Sequence, residues 1–248
     1  MGDSTLMERP RIDDRTSVLV LTGAGVSAES GIPTFRGAGG LWESHSFTDL
    51  ASPEGFDADP ALVWRFYSSR REGAKGCRPN PGHLALVELE RRLGDRFLLA
   101  TQNVDGLHRD AGSERLVEIH GNLFTSRCSS CSRPPFEDRA SHLHGAPPCE
   151  RCGARLRPHI VWFGEMLDPS HLERIHRFLT EAARRGPLVF LAAGTSGAVY
   201  PAAGLVDEAR QLGACTWLVN ADPADNGHRF EHFTQGRTGE VLPDLLGP

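Results

Sequence analysis

The stretch Gly23-Ala24-Gly25-Val26-Ser27-Ala28-Glu29-Ser30-Gly31-Ile32-Pro33-Thr34-Phe35-Arg36-Gly37 follows directly on the apolar run Val18-Leu19-Val20-Leu21. A short uncharged run of this kind reads as a buried β-strand. Three small residues then let the chain turn so that backbone N–H groups can approach a pyrophosphate, with the amino end of a helix behind them. A Gly-x-Gly pair alone marks many ordinary tight turns. Here the strand, the glycines and the Ser27 hydroxyl stand in the order a dinucleotide-binding turn requires, so this segment predicts nucleotide binding.

Working outward, further apolar runs alternate with helical patterns, as in an α/β fold with a parallel sheet. The predicted strands are Val18–Thr22, Arg96–Thr101, Leu116–His120, Leu188–Ala193 and Thr216–Asn220. Between them, Pro81–Leu93 carries Leu84, Val87 and Leu89 among charged residues, and Ala202–Leu212 carries Leu205, Val206, Ala209 and Leu212. Both read as helices laid against the sheet, and Gly94 and Gly213 follow them where a left-handed cap belongs.

Residues 38–80 and 125–157 break this alternation and read as insertions that build a smaller lobe. The first contains a compact aromatic patch, Trp64, Phe66 and Tyr67; the second contains Cys128-x-x-Cys131 and Cys149-x-x-Cys152, 17 residues apart. The second has too few bulky apolar residues to fold alone, so a metal staple makes physical sense. Four thiolates at this spacing suit one tetrahedral zinc and leave no coordination position for water, which predicts a structural ion. Two redox-active pairs are the competing reading. Cys77 and Cys215 stand apart and read as small buried hydrophobes. Residues 1–16 read as a flexible amino terminus and 17–248 as one catalytic domain.

Acidic residues (32) outnumber basic ones (27) among 248, and no long basic run occurs, so nucleic acid is not the expected partner. No apolar stretch is long enough to span a bilayer, and no signal-peptide core opens the chain, so neither membrane insertion nor export is expected. With the zinc-type cysteine spacing, these features predict a cytoplasmic protein.

Three more motifs line up behind the glycine turn. Thr101-Gln102-Asn103-Val104-Asp105-Gly106-Leu107-His108 follows a strand, Ile119-His120-Gly121-Asn122 ends another, and Pro158-His159-Ile160-Val161-Trp162-Phe163-Gly164-Glu165 follows the cysteine module. With Gly194-Thr195-Ser196 and Val219-Asn220, this set resembles the sirtuins, NAD-dependent protein deacylases, over about residues 17 to 247. The resemblance implies a Rossmann-like sheet with a smaller lobe containing a four-cysteine zinc module, NAD as co-substrate, and acyl-lysine proteins or peptides as partners. Glu43, about 20 residues after the glycines, lies in a Gly-Gly-Leu-Trp loop and not at a strand end, which weakens a dehydrogenase reading of the same turn.

The family scheme implies specific roles. His120 matches the histidine that takes a proton from a ribose hydroxyl, work suited to an imidazole of ordinary pKa. Asn103, Gln102 and Asp105 match nicotinamide and ribose contacts, with Asn103 also placed at the reacting centre. Gly23, Ala24, Gly25, Ser27, Ala28, Ile32 and Trp42 match the cofactor wall. Phe35 and Arg36 match a loop over the cofactor that shields it from water. Gly194, Thr195, Ser196 and Asn220 match phosphate and adenosine-ribose contacts. The segment Val161-Trp162-Phe163-Gly164-Glu165, with Val199 and Tyr200, matches the two edges between which the substrate peptide binds as an added strand.

In a helix Tyr67 and Arg70 share a face, so phenol and guanidinium can reach one point. Class III sirtuins have such a Tyr-x-x-Arg in the acyl pocket, and Ala51 matches the small residue beside it. The resemblance therefore implies removal of succinyl and malonyl groups as well as acetyl. Protein ADP-ribosyl transfer, or NAD or ADP-ribose sensing without turnover, are the alternatives that the same cofactor turn allows.

Overall fold

The computed structural model describes residues 8–34 and 46–247. Six strands form one parallel sheet: β1 Ser17–Thr22, β2 Phe97–Thr101, β3 Leu116–Glu118, β7 Leu188–Ala193, β8 Cys215–Asn220 and β9 His232–Gln235, in the order β3-β2-β1-β7-β8-β9. β1, β2 and β7 are buried throughout, which is why they appear in the sequence as unbroken apolar runs. From β1 the order runs one way through β2 and β3 and the other way through β7, β8 and β9. A ligand crevice belongs at that reversal, outside the carboxyl ends of β1 and β7.

Helices cover both faces. Pro81–Leu93 and Thr238–Leu246 pack Leu86, Leu89, Leu93, Leu242 and Leu245 against Val18, Val20 and Leu99. On the opposite face Pro169–Arg185 and Leu205–Gln211 pack Ile175, Leu179, Leu205 and Val206 against Leu19, Leu21 and Phe190.

The third core is built differently. An antiparallel sheet of β4 Gly121–Cys128, β5 Phe136–Glu137 and β6 Leu156–Ile160, in the order β5-β4-β6, packs on the helix Pro60–Lys75. Its core contains Trp64, Tyr67, Leu123, Leu156 and Trp162 together with Cys128 and Cys149. Trp64 Nε1 donates to Leu156 O at 2.8 Å. Arg71 is fully buried, pairs with Asp138 at 3.3 Å and donates to the carbonyls of Leu123 and Ala140, so it cements this lobe.

Several sequence expectations need correcting. Leu84 is 53% exposed; it lies off the stripe of Leu86, Leu89 and Leu93 that faces the sheet. The strand expected to run to His120 ends at Glu118, and β4 begins at Gly121, so His120 occupies the turn between two sheets. Gly94 has positive φ (+56°) with ψ of −119°, a glycine conformation other than the left-handed helical cap. The Ala202–Leu212 segment divides into a 3-10 turn, Ala202–Gly204, and the helix Leu205–Gln211. Cys77 and Cys215 are only partly buried.

Candidate active site

A cavity of about 840 Å³ opens at the carboxyl ends of the parallel strands, between the two lobes. The chain crossing at its floor is set by glycines. A Cβ on Gly25 would sit 2.8 Å from Gly194 Cα, and one on Gly194, whose φ is +62°, would sit 2.4 Å from Val26 N. No larger residue fits at this crossing, which brings the β1 and β7 ends together and leaves Gly23, Ala24, Gly25, Ala28, Gly194, Thr195 and Ser196 on the cavity wall. Gly25 N donates to Gly194 O at 2.8 Å, and the helix behind the turn, Gly25–Ala28, is a single turn long.

Amide side chains brace the crossing. Asn103 Nδ2 donates to Gly23 O at 3.0 Å and to Ser27 Oγ at 3.1 Å. Gln102 Nε2 donates to Thr195 Oγ1, and Asn220 Nδ2 to Thr195 O, both at 2.9 Å. Gln102, Asn103 and Asn220 all reach the wall.

His120 joins them from its turn, with Nδ1 3.1 Å from Gln102 O. A carbonyl has no proton to give, so Nδ1 must donate, and the neutral ring keeps its lone pair on Nε2. Burial lowers the imidazole pKa, opposed in part by the Gln102 contact, so the ring stays neutral and able to accept a proton.

The small lobe supplies the other wall: Ala51, Tyr67, Arg70 and Val161 to Glu165, with Val199 and Tyr200 at the rim. Trp162 Nε1 donates to Tyr67 Oη at 2.9 Å. With an acceptor position of that oxygen used, the phenol's own hydrogen remains for another partner. Arg157 lies over the Trp162 ring, 3.3 Å from its centroid, and pairs with Glu165, which also accepts from Trp162 N at 2.9 Å and from Arg127. Glu165 is thus fixed in an ion-pair cluster that holds Trp162, a role the peptide-contact expectation did not foresee. Burial raises the Tyr67 pKa and lowers that of Arg70, and the charge of Arg70 acts on both Tyr67 and Asp105.

Below this wall the four cysteines converge. Their sulfurs all lie within 4.8 Å of one another, and the amides of Ser130 and Cys131 each donate to Cys128 Sγ at 3.3 Å. The Cys131 and Ser130 amides bring the Cys128 thiol down to about 6, which favours the thiolate a zinc ion needs. The donor set fits a closed, structural zinc site.

Ser27, Ile32 and Asp105 are not part of the cavity wall. Ser27 accepts from Asn103 and also hydrogen-bonds the Asp105 side chain, which accepts from Leu107 N at 2.9 Å while burial raises its pKa. Phe35, Arg36 and Trp42, with Glu43, lie outside the described residues. Sequence reasoning missed Asp222, Arg237 and Thr238, which line the far end of the cavity. Gly236-Arg237-Thr238, a turn followed by a cap-like hydroxyl, was the available signal.

Among the described residues no helix is long and apolar enough to cross a membrane. A model of the Sir2 family matches residues 23–201. An NAD-dependent protein deacylase of Shigella flexneri is 47% identical over 97% of this chain and 84% of the relative. The mitochondrial NAD-dependent protein deacylase sirtuin-5 of Canis lupus familiaris is 44% identical over 93% of this chain and 81% of its own. A crystal structure of a Sir2 homologue in complex with NAD superposes with a TM-score of 0.83 at 42% identity, covering 92% of this chain and 87% of that one. A Sir2 complex with a p53 peptide and NAD⁺ superposes at 0.77 and 27% identity, covering 93% and 92%. A glycine crossing, a histidine turn and a four-cysteine lobe in one arrangement, matched across nearly the whole length, place this chain in the Sir2 family.

Proposed function

We propose that this protein is an NAD-dependent protein-lysine deacylase that accepts acid-ended acyl groups, succinyl and malonyl, together with acetyl. NAD is its co-substrate, one structural zinc sits in the four-cysteine lobe, and proteins or peptides are its substrates; nicotinamide, acyl-ADP-ribose and free lysine are the products. The names of its relatives and the family match support the deacylase activity. In this reading His120 Nε2 takes the proton of a ribose hydroxyl, and Asn103, braced against Gly23, orients the nicotinamide end. Gly194, Thr195, Ser196 and Asn220 hold phosphate and ribose, and the 161–165 segment with Val199 and Tyr200 clasps the peptide.

The acyl preference rests on one observation. Tyr67 and Arg70 reach the same cavity as His120, and Trp162 leaves the Tyr67 hydroxyl hydrogen free to donate. A phenol and a guanidinium together suit a carboxylate, and each hydrogen bond to such a charged group contributes roughly 1.5–3 kcal/mol. One lost contact therefore separates succinyl from acetyl substrates by about ten- to a hundredfold. The test is a panel of acetyl, succinyl and malonyl peptides assayed with Arg70→Met. Desuccinylation should collapse while much of the deacetylation survives; equal loss of both would remove Arg70 as the carboxylate reader.

A further inference from the structure

We propose that the opposite end of the parallel sheet holds a second and separate metal site, formed by Cys215, Glu231 and His232, for a divalent transition cation of the zinc type. A sulfur, a carboxylate oxygen and an imidazole nitrogen from these residues all lie within 4.8 Å of one another. Cys215 opens β8 and His232 opens β9, so this corner lies at the amino ends of the strands, about 15–20 Å from the carboxyl-end cavity at the rise of an extended chain.

The donors are held in place by the sheet itself. Register pairs Trp217 with His232, and the two rings stack at 4.1 Å with only 13° between their planes. Cys215 lies two residues before Trp217 on the same strand and so points to the same side. Glu231 and Thr216 grip each other: Glu231 N donates to Thr216 Oγ1 at 3.0 Å, and Thr216 N to Glu231 Oε2 at 3.4 Å. A further carboxylate, Glu8, lies 3.3 Å from His232 Nδ1. A cation at this corner therefore meets a thiol, an imidazole and the Glu231 carboxylate, with Glu8 beside the imidazole.

The mixture selects the ion. Magnesium and calcium take oxygen ligands, whereas sulfur and imidazole nitrogen together suit zinc and its neighbours. Cys215 binds as thiolate, and its proton passes to solvent as the metal–sulfur bond forms. Such an ion would tie the edge strand β9 to β8, and through Glu8 to the segment that precedes β1.

Equilibrium dialysis of the intact, untagged protein against buffered zinc tests the site, with bound zinc counted per chain. The wild type should take up two ions, one in the four-cysteine lobe and one here. Cys215→Ser and His232→Ala should each take up one, and Glu231→Gln should bind the second ion about tenfold or more weakly. One ion in the wild type, or two in both Cys215→Ser and His232→Ala, would overturn the proposal. If either variant loses both ions through unfolding, Glu231→Gln decides: weakened second binding supports the site, and unchanged binding rejects it.

Discussion

One backbone contact fixes what the imidazole of His120 can do. Because Nδ1–H donates to Gln102 O, the lone pair lies on Nε2, and burial keeps it available by lowering the pKa below the usual histidine value. His120→Ala should lower kcat by about 10²–10⁴-fold while NAD affinity, measured by calorimetry, changes little. The pH profile of kcat/KM should stay level through neutrality and fall only below about 6.5; an acid limb above that value would contradict a depressed base. Two other imidazoles were not singled out from sequence. His83 and His108 are buried, with ring centroids 4.7 Å apart, and burial lowers His83 to about 4. The unfolded chain takes up a proton near pH 6.5 that folded His83 refuses until about 4, so this contribution is full above 6.5 and is lost as pH falls between those values. The loss is on the order of 3 kcal/mol, read as a urea midpoint that drops from pH 7 to pH 5 and drops less in His83→Gln. His120 was legible because its Ile-His-Gly-Asn neighbours identify it, whereas burial, which distinguishes His83, leaves no mark on a single sequence.

At the scale of elements, the sheet holds because two chain segments cross at glycines. Gly194→Ala would force a Cβ to 2.4 Å from Val26 N at a φ of +62°. The substitution should lower Tm by several degrees and weaken NAD binding about tenfold or more, since strain of roughly 1–3 kcal/mol falls on the cofactor turn. Scanning calorimetry and NAD titration check both. Gly213→Ala serves as the comparison: its φ is +80°, but a Cβ there meets nothing within 4 Å, so it should lower stability without touching NAD affinity. The central strands were legible as apolar runs because both their faces are covered. β9 was not, because it lies at the sheet edge with alternate residues exposed and reads as His-Phe-Thr-Gln. The helix Pro169–Arg185 was missed although Ile175, Leu179 and Ala182 keep helical spacing; its many charges obscure a narrow stripe. Acidic residues also answer several arginines of the cysteine lobe, with Arg133 on Glu150, Arg139 on Glu137 and Arg157 on Glu165.

For the whole molecule, the cysteine lobe and the acyl wall share one core. Cys128 and Cys149 pack in the same cluster as Trp64, Tyr67 and Trp162, while the two sheet-facing cores draw on other residues. Removing the zinc leaves four thiols within 4.8 Å with no ion to hold them, in the 125–157 segment, which has too few bulky apolar residues to fold alone. The loss should pass from β4 and β6 to Trp162, then to the Tyr67 hydroxyl that Trp162 positions, and to His120 at the head of β4. The parallel sheet has its own buried layers on both faces and should persist. Treatment with a strong chelator should therefore abolish deacylation of every acyl peptide while retaining most of the far-ultraviolet dichroism. Hydrogen exchange should rise across residues 121–160 and 60–75 and stay slow in β1, β2 and β7. Zinc added back should restore activity and protection together. If the chain, once shown by metal analysis to have lost the ion of its four-cysteine lobe, still removes acyl groups at the original rate, the coupling between lobe and pocket is absent.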